Sequence, residues 1–247
     1  MNDKNLIKEF FENPYSLKYL QDFNDSLRRA VTAITASCTY AEATAAENSS
    51  GLEPSAFDEV WEQCRSLMRT SELLTAVMGG FSEQSVINVE NLLGELSAGC
   101  RELIGDKYNI IVTGEHDGFV RGDVRVIKYI FLSVIRNIVL DTRGELVDIE
   151  LSMAKADGSV RILLRCDRDV DINRGAIISD DLEPVNEMLA ERLGGKFIRN
   201  SNGCELVLPA AKPEGMVNSR PAVRFGSTGR YSAYNIMLKD IFEENEP

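Results

Sequence analysis

Few residues in this sequence are of a type and setting that could do chemistry: Asn137, Ser133, Asp167, His116, Asp25 and five cysteines. Asn137 and Ser133 fall in the stretch 122–142, GDVRVIKYIFLSVIRNIVLDT, where they interrupt an otherwise apolar pattern. Asp167 is followed by Asp169 and Asp171. Three carboxylates so close together repel an anionic ligand, and Asp167 on its own reads equally well as the cap of a loop. His116 is the sole imidazole and stands in the turn 115–118, the setting of a solvated residue. The cysteines Cys38, Cys64, Cys100, Cys166 and Cys204 form no CxxC pair and lie mostly in apolar patterns. They read as reduced, buried thiols, and with one histidine they do not make a zinc set.

The elements that must position these residues follow from periodicity. Val126, Ile127, Ile130, Phe131, Val134, Ile135 and Ile138 recur three and four apart, which predicts a helix over 122–142 with one wide buried face. Asp123 is placed to cap its first turn, and Asn137 sits on the margin of that face. Earlier in the chain, 16–47 and 55–81 read as two long helices around the breaker 48–51 and Pro54. In the second, Phe57, Val60, Cys64, Leu67, Ser71, Leu74, Met78 and Phe81 make a heptad seam, and Trp61, Met68 and Val77 a second flank. A two-helix hairpin cannot bury two flanks. The flank is covered either by a second copy, as a four-helix bundle, or by the rest of the same chain. A shorter helical piece is expected at 6–11.

From residue 89 the order changes to helix (89–103), strands 108–113 and 118–121 as a pair, helix, strands 147–154 and 160–166, helix 180–193, and strands 196–201 and 204–208. The turns Asp157-Gly158 and Asn202-Gly203 mark two of the hairpins. This order predicts one mostly antiparallel sheet covered on one face by three helices. Beyond residue 210, a Pro-, Gly- and Arg-rich linker (212–227) leads to an amphipathic stretch, 231–242, with Tyr234, Met237, Leu238, Ile241 and Phe242 on one face. That stretch either docks on its own domain, covers a groove there, or binds a partner.

The stretch 122–142 resembles the nucleotide-binding helix of the histidine kinases: Gly122-Asp123, then an apolar run, then Asn137 on the second Asn of the family motif and Thr142 on its closing Thr. Ser133 stands for the first Asn, Ile138 for the Ala and Leu140 for the basic residue. The ending GGKFIRNSNGCELVLP is similar to the family's closing strands, and 24–34, NDSLRRAVTAI, to the phosphoacceptor stretch of its helical hairpin. The resemblance runs from about residue 20 to 209. It implies an α+β chain, with an antiparallel hairpin that dimerises as a four-helix bundle followed by a histidine-kinase-type ATPase α/β sandwich. The divisions expected are an N-terminal segment (1–15), the hairpin (16–82), the ATPase-like domain (83–210) and a linker with an amphipathic helix (211–247).

The resemblance also implies roles, and several are altered. Asn137 would hold magnesium and Asp167 would read the adenine amino group, with Ser133 beside them. Asp167-Arg168-Asp169-Val170-Asp171 replaces the family's Asp-x-Gly-x-Gly, so side chains fill space that bare backbone would leave. The lid is reduced to about 172–181, without a glycine-rich phosphate loop. The phosphoacceptor histidine is replaced by Asp25, and a carboxylate cannot stand in for an imidazole nucleophile. The expectation is a degenerate member of the family: a non-catalytic scaffold or regulator in two-component signalling, with no cofactor, that binds a response regulator or an active histidine kinase. The alternative is a divergent kinase or ATPase that still binds Mg-ATP through Asn137 and Asp167. A phosphotransferase would need a histidine on the hairpin, where there is none.

Composition sets the outer bounds. The chain of 247 residues is 44% hydrophobic, 27% charged and carries a net charge of −12. That balance disfavours nucleic acid or an anionic membrane as partner. The longest apolar run, 129–140, is too short for a bilayer and contains Arg136. With reduced cysteines and no basic-then-apolar start, a cytoplasmic setting is expected.

Overall fold

The structure is a computed structural model that describes residues 13–47, 57–79, 84–104, 108–142, 145–171, 183–213 and 232–238. The helical piece expected at 6–11, the lid at 172–181 and the end of the stretch 231–242 lie outside them. The chain divides into two compact units, Met1–Met78 and Gly79–Pro247.

The first unit is the hairpin of α1 (Pro14–Glu47) and α2 (Asp58–Gly79). The helices are antiparallel. Asn24 Nδ2 donates to Thr75 Oγ1 (3.1 Å), Arg28 Nη2 to Glu72 Oε1 (2.6 Å), and Trp61 Nε1 to Glu42 Oε1 (2.6 Å). Val31 and Thr35 on α1, and Cys64, Met68, Ser71 and Val77 on α2, are buried. The heptad seam expected on α2 is split by this packing. Cys64 and Ser71 turn inward, whereas Val60 and Leu67 stay exposed at 36% and 41%. The a and d rows of a heptad lie on adjoining faces, and a two-helix hairpin needs only one of them.

The second unit begins with β1 (Ser85–Asn88), α3 (Val89–Ile104), β2 (Tyr108–Gly114), β3 (Phe119–Gly122) and α4 (Val124–Asp141). It continues with β4 (Val147–Ala156), β5 (Ser159–Cys166), α5 (Glu183–Arg192), β6 (Lys196–Asn200), β7 (Gly203–Pro209) and α6 (Ala233–Leu238). Five strands form one sheet in the order β2-β4-β5-β7-β6. Only β2 and β4 are parallel, so the sheet is mostly antiparallel as expected. In the β4–β5 turn, Asp157 and Gly158 take φ of 47° and 76°, the left-handed pair that a two-residue hairpin requires. Gly203 has φ 154°, and a Cβ there would lie 2.0 Å from the Leu164 carbonyl oxygen, so only glycine lets β7 approach β5.

One pairing differs from the expectation. The strands at 108–114 and 119–122 do not pair with each other. β3 pairs antiparallel with β1 in a separate two-stranded sheet, and β2 lies parallel to β4. Val89 N donates to Gly118 O (2.9 Å), which draws the 115–118 turn toward β1 and α3. Four residues of β1 are too few to show a period in the sequence.

The central helix also differs. Residues 126–139 of α4 are buried except Lys128, so the helix is enclosed nearly all round rather than on one face. Asp123 caps it as expected, accepting from Arg125 N at 2.8 Å. Part of the additional cover is α6, which packs on α3 and α4. Tyr234, Ile236, Met237 and Leu238 of α6 are 0–8% exposed. Residues 233–238 therefore dock on their own domain.

Candidate functional site

Ser133, Asn137 and Asp141 stand four residues apart on α4 and share one face of the helix. Ser133 and Asn137 are each 1% exposed, and Ser133 Oγ donates back to Ile130 O at 2.8 Å. Asp141 lies a turn further on, at the half-buried end of the helix. Its Oδ2 accepts from the backbone N–H of Asp171 at 3.0 Å. The stripe of α4 that carries Asn137 thus ends on the loop that follows β5.

That loop, 167–171, is held by its main chain. Asp167 N donates to Asp148 O (3.0 Å) and Val170 N to Ser201 O (2.8 Å). With the Asp171 amide bound by Asp141, the amides of 167, 170 and 171 are all occupied by acceptors of the chain itself. The Asp167 carboxylate faces solvent and takes Arg168 on both oxygens, Nε to Oδ1 at 3.1 Å and Nη2 to Oδ2 at 3.2 Å. This hydrogen-bonded guanidinium is the main reason the Asp167 carboxyl is held below its usual range. Arg168 also reaches Glu145 and the Leu146 carbonyl (2.8 Å). Asp171 Oδ1 lies 3.7 Å from Arg199. Behind the loop, burial pushes the Cys166 thiol up.

The chemistry follows from these contacts. An anion-binding loop offers free backbone N–H groups and a surplus of positive charge. Here the loop's amides at 167, 170 and 171 already have acceptors, and Asp141, Asp167, Asp169 and Asp171 give the loop a surplus of negative charge. The two arginines present, Arg168 and Arg199, pair with those carboxylates.

Of the other residues singled out from the sequence, Asp25 and His116 are exposed. Asp25 is exposed on α1, beside Ser26, whose Oγ donates to Asp22 O. His116 is exposed on its turn, with Nδ1 2.9 Å from Glu90 Oε1. The five cysteines are free thiols. Four are buried and Cys38 is half-buried. No group of three or more His, Cys, Asp or Glu able to hold a metal occurs among the described residues. None of the described helices is long and apolar enough to cross a membrane.

Sequence reasoning missed Asp141 and the partners of α6. Asp141 continues the Ser133–Asn137 spacing, so half of its role was visible; its bond to Asp171 was not. Arg136 read only as a charge within an apolar run. In the structure it is 7% exposed, and its Nη1 donates to Met237 O at 2.7 Å.

Neither a protein-family model nor a curated protein sequence matches the chain. Solved structures do. The histidine kinase AdeS of Acinetobacter baumannii matches with a TM-score of 0.51 at 9% identity, over 74% of this chain and 98% of its own. Full-length ShkA, solved in complex with AMPPNP, matches with a TM-score of 0.51 at 16% identity, over 79% of this chain and 46% of its own. The catalytic domain of the histidine kinase ThkA matches at 18% identity over 52% of this chain and 97% of its own, with a TM-score of 0.42. In fold the chain is histidine-kinase-like, a helical hairpin followed by an ATPase-type α/β sandwich.

Proposed function

We propose, from the premise of a histidine-kinase fold, that this chain is a non-catalytic scaffold or regulator of two-component signalling that binds a response regulator or an active histidine kinase. The observation that carries this reading is the loop 167–171, whose amides at 167, 170 and 171 are bound to the chain and whose side chains stand where the family has glycines. Asp25 supports it: the hairpin exposes a carboxylate where phosphotransfer would need an imidazole. The kinase scaffold is kept while the groups that would make it turn over are changed.

The hairpin has a face suited to a second copy. On α1 the stripe Phe23, Leu27, Ala30, Ile34 lies one residue back from the inner stripe Asn24, Arg28, Val31, Thr35. On α2, Val60, Leu67 and Leu74 lie one residue back from Trp61, Met68 and Thr75. One residue is about 100° of helix, and because the helices are antiparallel, both steps turn toward the same side of the hairpin. Phe23 (50%), Ile34 (43%), Val60 and Leu67 are exposed there. A homodimer through this face makes a four-helix bundle. Asp25 lies one step round the other way, on the side left open for a regulator.

The test is calorimetric titration of Mg-ATP into the full chain, with Asn137→Ala alongside, and incubation with labelled ATP. The scaffold reading expects no binding up to millimolar nucleotide and no label on the protein. Micromolar binding lost in Asn137→Ala would replace it with a divergent ATPase that uses Asn137, Asp167 and Ser133. Binding of purified receiver domains to the full chain, weakened by Asp25→Arg, tests the partner.

A further inference from the structure

We infer that Cys38 and Cys64 close into an intramolecular disulfide under mild oxidation, a reversible covalent lock across the hairpin. The register between α1 and α2 places them together. Two hydrogen bonds pin that register, Arg28 Nη2 to Thr75 Oγ1 (3.2 Å) and Trp61 Nε1 to Glu42 Oε1 (2.6 Å). Between these pins the inner stripe of α1 reads Arg28, Val31, Thr35, Cys38, Glu42. The inner stripe of α2, read in reverse, is Thr75, Ser71, Met68, Cys64, Trp61. Both stripes step alternately by three and four, and because Thr75 Oγ1 also accepts from Asn24 Nδ2 (3.1 Å) the layers interleave, which sets Cys64 against the Thr35–Cys38 turn of α1, beside Cys38 and one layer inside the Trp61–Glu42 bond. Burial agrees with the layering. Val31, Thr35, Cys64, Met68 and Ser71 are all at most 5% exposed.

The separation is suitable. Packed helix axes lie about 8–10 Å apart, and each Cα stands about 2.3 Å off its axis, so Cα atoms turned toward each other fall about 3.4–5.4 Å apart, and further when their layers interleave. A disulfide needs roughly that spacing. The electrostatics point the same way. The Cys64 thiol is pushed up first by burial and then by the charge that Cys38 would carry, an effect of near neighbours.

The chemistry needs a two-electron oxidant, and hydrogen peroxide serves. Half-buried Cys38 is the thiol that meets it. Its sulfur attacks one peroxide oxygen, an S–O bond forms, the O–O bond breaks, and water leaves with the thiol proton. The Cys64 sulfur then attacks the sulfenic sulfur of Cys38. The S–S bond forms, the S–O bond breaks, and a second water leaves. Each sulfur is oxidised by one electron while peroxide is reduced to two waters. The bond encloses residues 39–63 and stops α1 from sliding or rotating on α2. Its effect on partner binding rests on the proposed signalling role; its formation does not.

The full chain is treated with a modest excess of hydrogen peroxide, quenched, digested without reductant and mapped by mass spectrometry. The expected result is a Cys38–Cys64 peptide, loss of two of the five free thiols, single-chain migration on a non-reducing gel, and reversal by dithiothreitol. Dibromobimane, which bridges adjacent thiols, should label the untreated protein and lose that product in Cys38→Ser. The mapping uses the unaltered chain, so a poorly folding variant leaves the result readable. A different pair, a disulfide between chains, sulfinic acid on Cys38 beside a free Cys64, or no thiol loss overturns the proposal. The Mg-ATP titration is untouched by any of these outcomes, so the two readings fail separately.

Discussion

Arg136, buried within α4, donates from Nη1 to the main-chain carbonyl of Met237, 101 residues later, at 2.7 Å. The bond joins the helix next to Asn137 to the last described helix of the chain. It also gives a cation in the middle of an apolar helix a main-chain acceptor. Truncating it to Arg136→Ala leaves the Met237 carbonyl buried without this donor, which costs about 1–3 kcal/mol. Hydrogen exchange should rise across 233–238 in the variant. Unchanged protection there would show that apolar packing alone seats α6.

Two glycines of α3 should respond in opposite senses to an added side chain. A Cβ on Gly99 would lie 2.7 Å from the Tyr234 ring, whereas a Cβ on Gly94 meets nothing within 4 Å. Gly94→Ala should therefore stabilise by about 1 kcal/mol, the ordinary helix gain. Gly99→Val should destabilise by roughly 1–3 kcal/mol as the ring is displaced. Adding Tyr234→Ala to Gly99→Val should recover part of the loss, which urea unfolding of the double-mutant cycle measures. Equal effects at the two glycines would mean that Tyr234 is not seated on α3.

The proposed four-helix bundle assigns the oligomeric state to the apolar face of the hairpin. Ile34→Asp with Leu67→Asp places charges on residues that are 43% and 41% exposed in the single chain, so the fold of one chain should survive. Sedimentation should change from dimer to monomer while the circular dichroism stays the same. A monomer in the unaltered chain at micromolar concentration contradicts the four-helix bundle.

Alkaline pH should weaken the second unit. Burial raises the Cys100 thiol from 9.0 to about 12, and raises Cys204 and the Tyr234 phenol as well. A raised folded pKa gives stability that is complete below the unfolded value and lost as pH climbs toward the folded one. Between pH 9 and 12 the folded state holds the proton that the unfolded state releases. Stability should thus fall by roughly 1.4 kcal/mol per pH unit for each such group. Denaturant midpoints taken from pH 8 to 11 should show the decline, and Cys100→Ala should flatten it by one group.

Much of this was legible in the chain itself. The helix at 124–141, its Asp123 cap and the Asp157-Gly158 hairpin rest on local rules: spacing of apolar residues, a carboxylate at an N-terminus, a left-handed turn. The order of elements was legible for the same reason. The β1–β3 pair was not, because four residues are too few to carry a period. The heptad on α2 reads as one seam in the sequence, with Trp61, Met68 and Val77 as a second flank, but its rows part in the hairpin, because a repeat cannot say which row meets α1.

What the sequence determined by itself is the set of elements and the changed chemistry: an aspartate at 25, carboxylates at 167, 169 and 171, and one histidine on a turn. Residue type and near spacing are properties of the chain and need no fold to be read. Tertiary structure alone decided that Asp141 holds the amide of Asp171, that Arg136 finds the carbonyl of Met237, and that the α1 stripe of Cys38 packs on the α2 stripe of Cys64. Each of these joins segments far apart in sequence, and only the packing of helices and sheet brings a donor to its acceptor or one thiol to another.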